Sequence, residues 1–163
     1  MGNIINDEKI RRKNIGGINM GHIKKMNVYL SNLAVGNVKL HNVHWNVVGS
    51  QFVQVHEYTE EIYDDFFEKY DEVAEELKMK GEKPLVTMAD YLENATIKED
   101  KSDRFTVRES LELVKKDLEL MKELATDIRN QADEAEDFTV VAMMEDHVAG
   151  YNKELWFINS MLA

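Results

Sequence analysis

Apolar residues recur along this chain at the three- and four-residue spacing of helices that bury one face. The first such stretch predicts a helix over about residues 26–48, with Leu30, Leu33, Leu40 and Val47 on its core face. Asn37 and His44 fall on a line beside Leu30. The second runs from Phe52 to Leu77, where Val55, Thr59, Ile62, Phe66, Val73 and Leu77 share one side at about 100° per residue. Gly81 and Pro84 end it, glycine by favouring a helix cap and proline by blocking the next hydrogen bond. Thr87 to Ala95 reads as a short helix and Lys98 to Asp103 as a charged loop. Thr106 and Glu109 then form a capping box ahead of a third long helix, in which Val107, Leu111, Val114, Leu118, Met121, Ala125 and Ile128 keep heptad spacing. The last long helix carries Val141, Met144, Val148, Tyr151, Leu155, Ile158 and Leu162 in the same way, with His147 and Trp156 off that line. The pattern is all-α: a four-helix bundle with a short helix in the long crossover between the second and third long helices.

Composition agrees. The 163 residues suit one domain, and a single proline with 31% charged residues favours long helices over a sheet. Cysteine is absent, which excludes a disulfide framework or a thiolate metal site. No apolar run is long enough to span a bilayer and no secretory h-region is visible, so a cytoplasmic location without membrane association is the expectation. Residues 1–25 read as a flexible, mildly basic tail, and residues 26–163 as the bundle. Lys9, Arg11, Arg12, Lys13, Lys24 and Lys25 stand against Asp7 and Glu8, giving the tail +4; a chain of net charge −11 then leaves −15 on the remainder.

The second helix has another stripe, and it is polar. With His56 at zero, Glu60 lies at about 40°, Asp71 at about 60° and Glu75 at about 100°, whereas the core stripe centres near about −85°. Four potential metal ligands therefore share a face that points away from the helix's own core. Glu60 and Asp71 are nevertheless about 16 Å apart along the axis, while a metal ion holds its ligands at about 2 Å. One copy of the helix cannot close one site. An antiparallel second copy about a twofold axis would set His56 and Glu60 of one chain opposite Asp71 and Glu75 of the other, making two equivalent sites. Phe67 and Tyr63 sit within this stripe, where such a contact would bury them. The break at Gly49-Ser50 would return His44 to the start of the second helix, near His56. Taken singly, each residue has an ordinary reading as core, surface or solvated charge. Their joint spacing points to a shared metal centre of His44, His56 and Glu60 with Asp71 and Glu75.

The strings HNVHWNVVGSQF, His56-x3-Glu60, Tyr63-Asp64 and Asp71-x2-Ala74-Glu75 resemble the Dps-type mini-ferritins, a ferritin-like family named for DNA protection during starvation. The resemblance extends from about Met26 to Leu162 and includes TMADYLENATI and KELWFINSML. It implies a ferritin-like subunit, a hollow homododecamer, and a ferroxidase centre across the twofold interface with room for two iron ions. The family's ligands fall on His44, His56, Glu60, Asp71 and Glu75. Position 60 is often Asp in the family, the usual Arg after the last ligand is Glu76 here, and the usual Pro of the turn is Ser50. The implied activity is oxidation of Fe2+, preferably by hydrogen peroxide, with storage of ferric mineral and protection of the cell and DNA from oxidative damage. Imidazole and carboxylate ligands suit Fe2+, and carboxylates stabilise the Fe3+ product by charge. Trp45, beside His44, is a candidate for intercepting stray oxidising equivalents, and packing explains it nearly as well.

The resemblance also implies a role for the tail on DNA phosphates; an ordinary solvated terminus is the other reading on so acidic a chain. Acidic residues near the start of the last helix line iron-attracting pores in the family, and Asp137 matches that position, although the next acidic position is Val141 here. Glu134 and Glu136 read equally as acids at a helix N-terminus. His41 and His147 read as supporting or surface residues. A larger-ferritin di-iron site inside one bundle would need Glu-x-x-His, yet the residues three before the histidines are Asn19, Val38, His41, Val53 and Met144. A shell that binds DNA or a cell-surface partner without oxidising iron, and a plain monomeric bundle, are the remaining alternatives.

Overall fold

The computed structural model describes residues 20–163. The chain forms α1 (Met20–Asn46), a two-residue strand β1 (Val47–Val48), α2 (Phe52–Met79), a short α3 (Met88–Asn94), β2 (Phe105–Thr106), α4 (Val107–Glu134) and α5 (Phe138–Leu162). The four long helices make the bundle, with α1 packed most extensively on α2, α4 on α5, and α1 on α4 between the two pairs. Every residue of the predicted α2 core stripe is buried. On α4 and α5 the heptad residues form the core, with Val107, Val148 and Leu162 at its margin.

Helix α1 begins six residues before the apolar period predicted, so residues 20–25 are helical. Polar contacts hold this extra turn, which hydrophobic spacing does not reveal: buried His22 donates to Asp137, and Lys25 pairs with Asp127. The remainder of the expected tail, residues 1–19, with four of its six basic residues, lies outside the described residues.

At its other end α1 stops at Asn46, and Val47 and Val48 pair in parallel with Phe105 and Thr106. This small ladder ties the end of α1 to the cap of α4. There the Thr106 hydroxyl accepts from the Glu109 amide at 3.2 Å, and the Glu109 carboxylate accepts from the Thr106 amide at 2.8 Å. Gly49 follows at φ 136°, in a region side chains avoid, and its carbonyl accepts from the Phe52 amide as α2 starts. Helix α2 ends in a left-handed Gly81 with the Glu82 amide bonded to the Leu77 carbonyl.

Asparagines on α1 fix the crossover to the bundle. The Asn32 carbonyl oxygen accepts from the Thr96 and Ile97 amides, Asn27 accepts from the Leu85 amide, and Asn42 donates to the Asp100 and Ser102 carbonyls. These bonds satisfy loop backbone that would otherwise lie unpaired against the helix.

Gly36 lets α1 and α2 approach at Phe66, since a Cβ added there would lie 2.7 Å from the Phe66 ring. Gly36→Ala is therefore expected to lower stability by about 1–3 kcal/mol through overpacking. Thermal unfolding followed by circular dichroism checks this, and an unchanged midpoint would show that the ring moves aside freely.

Candidate metal centre

His44 lies in the last turn of α1 and His56 in the second turn of α2, and the turn at Gly49 folds one back on the other. Each histidine Nδ1 donates to the other's backbone carbonyl, at 2.7 Å from His44 and 2.8 Å from His56. A carbonyl only accepts, so both Nδ1 atoms carry the proton and both Nε2 atoms keep a lone pair. The rings stack with centroids 3.6 Å apart. Thr59, fully buried one turn on, backs the pair with its hydroxyl 2.9 Å from the His56 carbonyl. Glu60 completes the group: potential ligand atoms of His44, His56 and Glu60 all lie within 4.8 Å of one another. Among the described residues this is the one group of three or more such side chains close enough to share an ion.

Asp71 and Glu75 do not join it. Helix α2 is unbroken from Phe52 to Met79, and the eleven residues from Glu60 to Asp71 hold them about 16 Å apart. They line a separate cleft of about 480 Å³ with Phe67, Glu68, Tyr70 and Glu72. Phe67, between the two groups, is 64% exposed in the single subunit. The structure thus brings three of the five expected ligands together and leaves two on the same helix face, one half-site at each end of an exposed ring.

Aromatic side chains flank the first half-site. His41 donates from Nδ1 to the Asn37 carbonyl of its own helix, stacks on Tyr63 at 3.8 Å, and meets Trp45 at 5.5 Å. Trp45 itself is 68% exposed, so core packing within the subunit does not account for it. Tyr63 meets His44 edge-on at 5.2 Å. Partial removal from water, and then the Glu60 and Asp64 carboxylates, hold its phenol above the ordinary value.

Periodicity assigned Thr59 only to the core and left its support of the histidines unseen. It also missed a buried chain in which His147 bonds Tyr29 at 3.1 Å and Glu72 at 2.8 Å. Spacing sets Tyr151 on the core line of the last helix and His147 off it, and nothing in the sequence joins His147 to Tyr29 or Glu72.

The sequence model of the ferritin-like domain family matches residues 23–163. The DNA protection during starvation protein of Helicobacter pylori is 31% identical over 126 residues, covering 77% of this chain and 88% of that protein. Among solved structures, a Dps protein from Bacillus brevis superposes with a TM-score of 0.86 at 33% identity, covering 90% of this chain and 98% of that one. A Dps protein from Vibrio cholerae, described as a member of a broad superfamily of ferritin-like diiron-carboxylate proteins, gives 0.85 at 28% identity over 90% and 92% of the two chains.

The acidic turn before α5 is differently disposed from a free carboxylate cluster. Asp137 accepts from His22 at 2.9 Å and from Lys80, and Lys80 also pairs with Glu76 at 2.9 Å. Glu76 therefore has its charge met inside the subunit. Asp133 pairs with Arg129, Val141 is buried, and the exposed acids of the turn that form no ion pair are Glu134 and Glu136. Burial pushes the Asp137 carboxyl up, but the bonds and charges of Lys80 and His22 outweigh it and hold the group below the usual range. A depressed folded value stabilises the protein above about pH 4 and loses that contribution as pH falls through it. Asp137→Asn is expected to cost about 1 kcal/mol near neutral pH. The gap between the thermal midpoints of variant and wild type should narrow progressively as pH falls below about 4; a constant gap throughout the acid range would contradict the linkage.

Proposed function

The chain belongs to the ferritin-like Dps family, and from that membership we propose that it oxidises Fe2+ at centres shared between paired subunits and stores the ferric product. The observation that carries this reading is the division of ligands on one rigid helix. His44, His56 and Glu60 offer two imidazole lone pairs and a carboxylate from one subunit. Asp71 and Glu75 of the partner subunit would complete the shell when a reversed copy of α2 packs on this face about a twofold axis. Phe67 from each copy then lies between the two centres, out of water.

Fe2+ is the substrate, and the ligand set suits it: nitrogen and oxygen donors of intermediate hardness, with carboxylates that favour the more highly charged product. The Nδ1 bonds of the histidines fix both rings before iron arrives, so little ordering remains to be done on binding. Two ions per centre would supply two electrons together, which matches hydrogen peroxide as a two-electron acceptor: two Fe2+ and one peroxide give two Fe3+ and two hydroxides. Paired transfer of this kind avoids releasing hydroxyl radical. Trp45, exposed beside His44, is a candidate for intercepting oxidising equivalents that escape the centre toward solvent.

A hollow shell of twelve subunits, of about 227 kDa from a subunit of 18.9 kDa, would hold the mineral. Protection of DNA in the cytoplasm is then chemical, through removal of iron and peroxide. The charge of −11 opposes direct attraction of DNA phosphates to the shell, and any grip by the tail rests on residues 1–19. Among the described residues no helix is long and apolar enough to cross a membrane.

Asp71→Ala should assemble normally and lose peroxide-driven Fe2+ oxidation by at least about 10–100-fold, the loss that removal of even an outer-shell partner of a metal ligand brings. Stopped-flow absorbance after anaerobic Fe2+ loading measures it, and wild-type rates in the variant would remove the assignment. Phe67→Lys places a charge where each copy would bury a ring worth about 1.5–3 kcal/mol. Light scattering should show smaller species for Phe67→Lys, whereas an intact shell would mean the reversed α2 pair is not the contact.

A further inference from the structure

We propose that buried Tyr29 is a one-electron donor to the metal centre, with His147 as the acceptor of its proton. The proposal rests on the shared-centre reading for the source of its oxidant, and on an observed chain of contacts for everything else. Tyr29 is fully buried between helices, yet its hydroxyl bonds to both Nδ1 of His147, at 3.1 Å, and the hydroxyl of Tyr151. The far nitrogen of the same ring, Nε2, lies 2.8 Å from the Glu72 carboxylate. Glu72 is half exposed and lines the cleft that holds Asp71 and Glu75. A continuous path of hydrogen bonds therefore runs from the cleft beside Asp71 and Glu75 on α2 through His147 of α5 to Tyr29 of α1.

The bonding order follows from chemistry. An ionised carboxylate accepts, so Nε2 of His147 carries the proton and Nδ1 accepts from the Tyr29 hydroxyl. Tyr151 in turn donates to the Tyr29 oxygen, and all three groups are satisfied. Burial, reinforced by the neighbouring Tyr151 hydroxyl, holds the Tyr29 phenol well above its ordinary value, so it rests protonated. Burial lowers His147, which rests neutral with its Nδ1 lone pair available. Loss of an electron makes a phenol strongly acidic, and here the proton has a base waiting along an existing hydrogen bond. The resulting imidazolium is held by Glu72. Tyr151 is the poorer donor of the two, because its hydroxyl bonds to that of Tyr29 and has no imidazole to take its proton, whereas the His147 imidazolium is held by Glu72 against the opposing charge of Lys69.

The step balances. When a centre holds a single Fe2+, peroxide takes one electron and gives Fe3+, hydroxide and hydroxyl radical. The radical takes an electron from Tyr29 and becomes a second hydroxide, the Tyr29 O–H bond breaks, and its proton forms the new N–H bond on His147. One phenol is oxidised to a neutral phenoxyl radical and one peroxide is reduced to two hydroxides. Such a donor would confine the damage of an unpaired turnover to a ring that solvent does not reach, where later Fe2+ can reduce it.

The test mixes anaerobic full-length protein, carrying about one Fe2+ per centre, with peroxide, and freezes samples for electron paramagnetic resonance while Fe2+ oxidation is followed in parallel. Wild type is expected to give a tyrosyl signal, Tyr29→Phe to lose it, Tyr151→Phe to retain it, and all three to oxidise iron. His147→Gln keeps a hydrogen-bonding side chain without a basic nitrogen and should slow radical formation by about 100-fold while abolishing its solvent deuterium effect. A purely structural role for His147 would leave that isotope effect in place. No tyrosyl signal in wild type, or an equal signal in Tyr29→Phe, would overturn the proposal. Should a variant not assemble, peptide mapping of oxidised wild-type protein decides: modification of buried Tyr29 ahead of Tyr63 and Tyr70 supports it, and the reverse order overturns it. Equal Fe2+ oxidation in wild type and Asp71→Ala would instead remove the shared centre, leaving the comparison at Tyr29 to be read separately.

Discussion

A straight helix cannot bring its two ends to one ion, and that limit of reach governs how this subunit presents its chemistry. Helix α2 runs without a break through both half-sites, so their separation is fixed by the rise of the helix. What the single chain can do is prepare one half well. The crossed bonds between His44 and His56 close a small loop around the Gly49 turn, and each ring is held by the backbone that carries the other. The β1–β2 pair and the α4 cap steady the same turn from the side. Two nitrogens are thereby left with lone pairs near Glu60 by contacts that involve no metal.

The distribution of charge follows the same division. The chain is strongly acidic, and its semi-buried cations are committed to internal carboxylates: Lys39 to Asp117, Lys69 to Asp65, and Lys80 to Glu76 and Asp137. Among the described ion pairs none involves Glu60, Asp71 or Glu75. Their negative charge therefore remains uncompensated on one exposed face, which is what a site for a divalent cation requires and what a folded monomer gains little from. An exposed phenylalanine between them points the same way, because a ring that meets Tyr70 at 6.3 Å and is otherwise largely open to water gains little from burial in the lone subunit.

The helices, their order and the outward stripe of α2 were legible because each rests on local spacing, and the capping box at Thr106 and Glu109 because it is a local exchange of hydrogen bonds. His44 with His56 was legible for a related reason: a tight turn leaves few ways to place two residues that flank it. What was not legible depends on partners distant in sequence. The early start of α1 rests on Asp127 and Asp137, the parallel β1–β2 pair joins segments separated by α2 and α3, and the fate of Asp137 is decided by His22 and Lys80. An acidic residue at a helix start looks the same in sequence whether it faces water or a lysine.

The two long seams of the bundle differ in kind. Apolar surface binds α1 to α2 and α4 to α5, while α2 and α5 meet through polar side chains: Tyr58 with Glu154, Lys69 over Tyr151, Glu72 with His147, and Glu76 with Thr139. Polar groups in a bundle interior weaken it unless each finds a partner, and here each of these does. A seam of leucines would pack as well, so packing does not explain the choice. Satisfied polar contacts do something leucines cannot: they connect the outward face of α2 to titratable and oxidisable groups inside the bundle. The core stripe, the carboxylate-bearing outward stripe and the polar seam occupy three sides of one helix, and the rigidity that separates Glu60 from Asp71 also fixes the seam residues against α5.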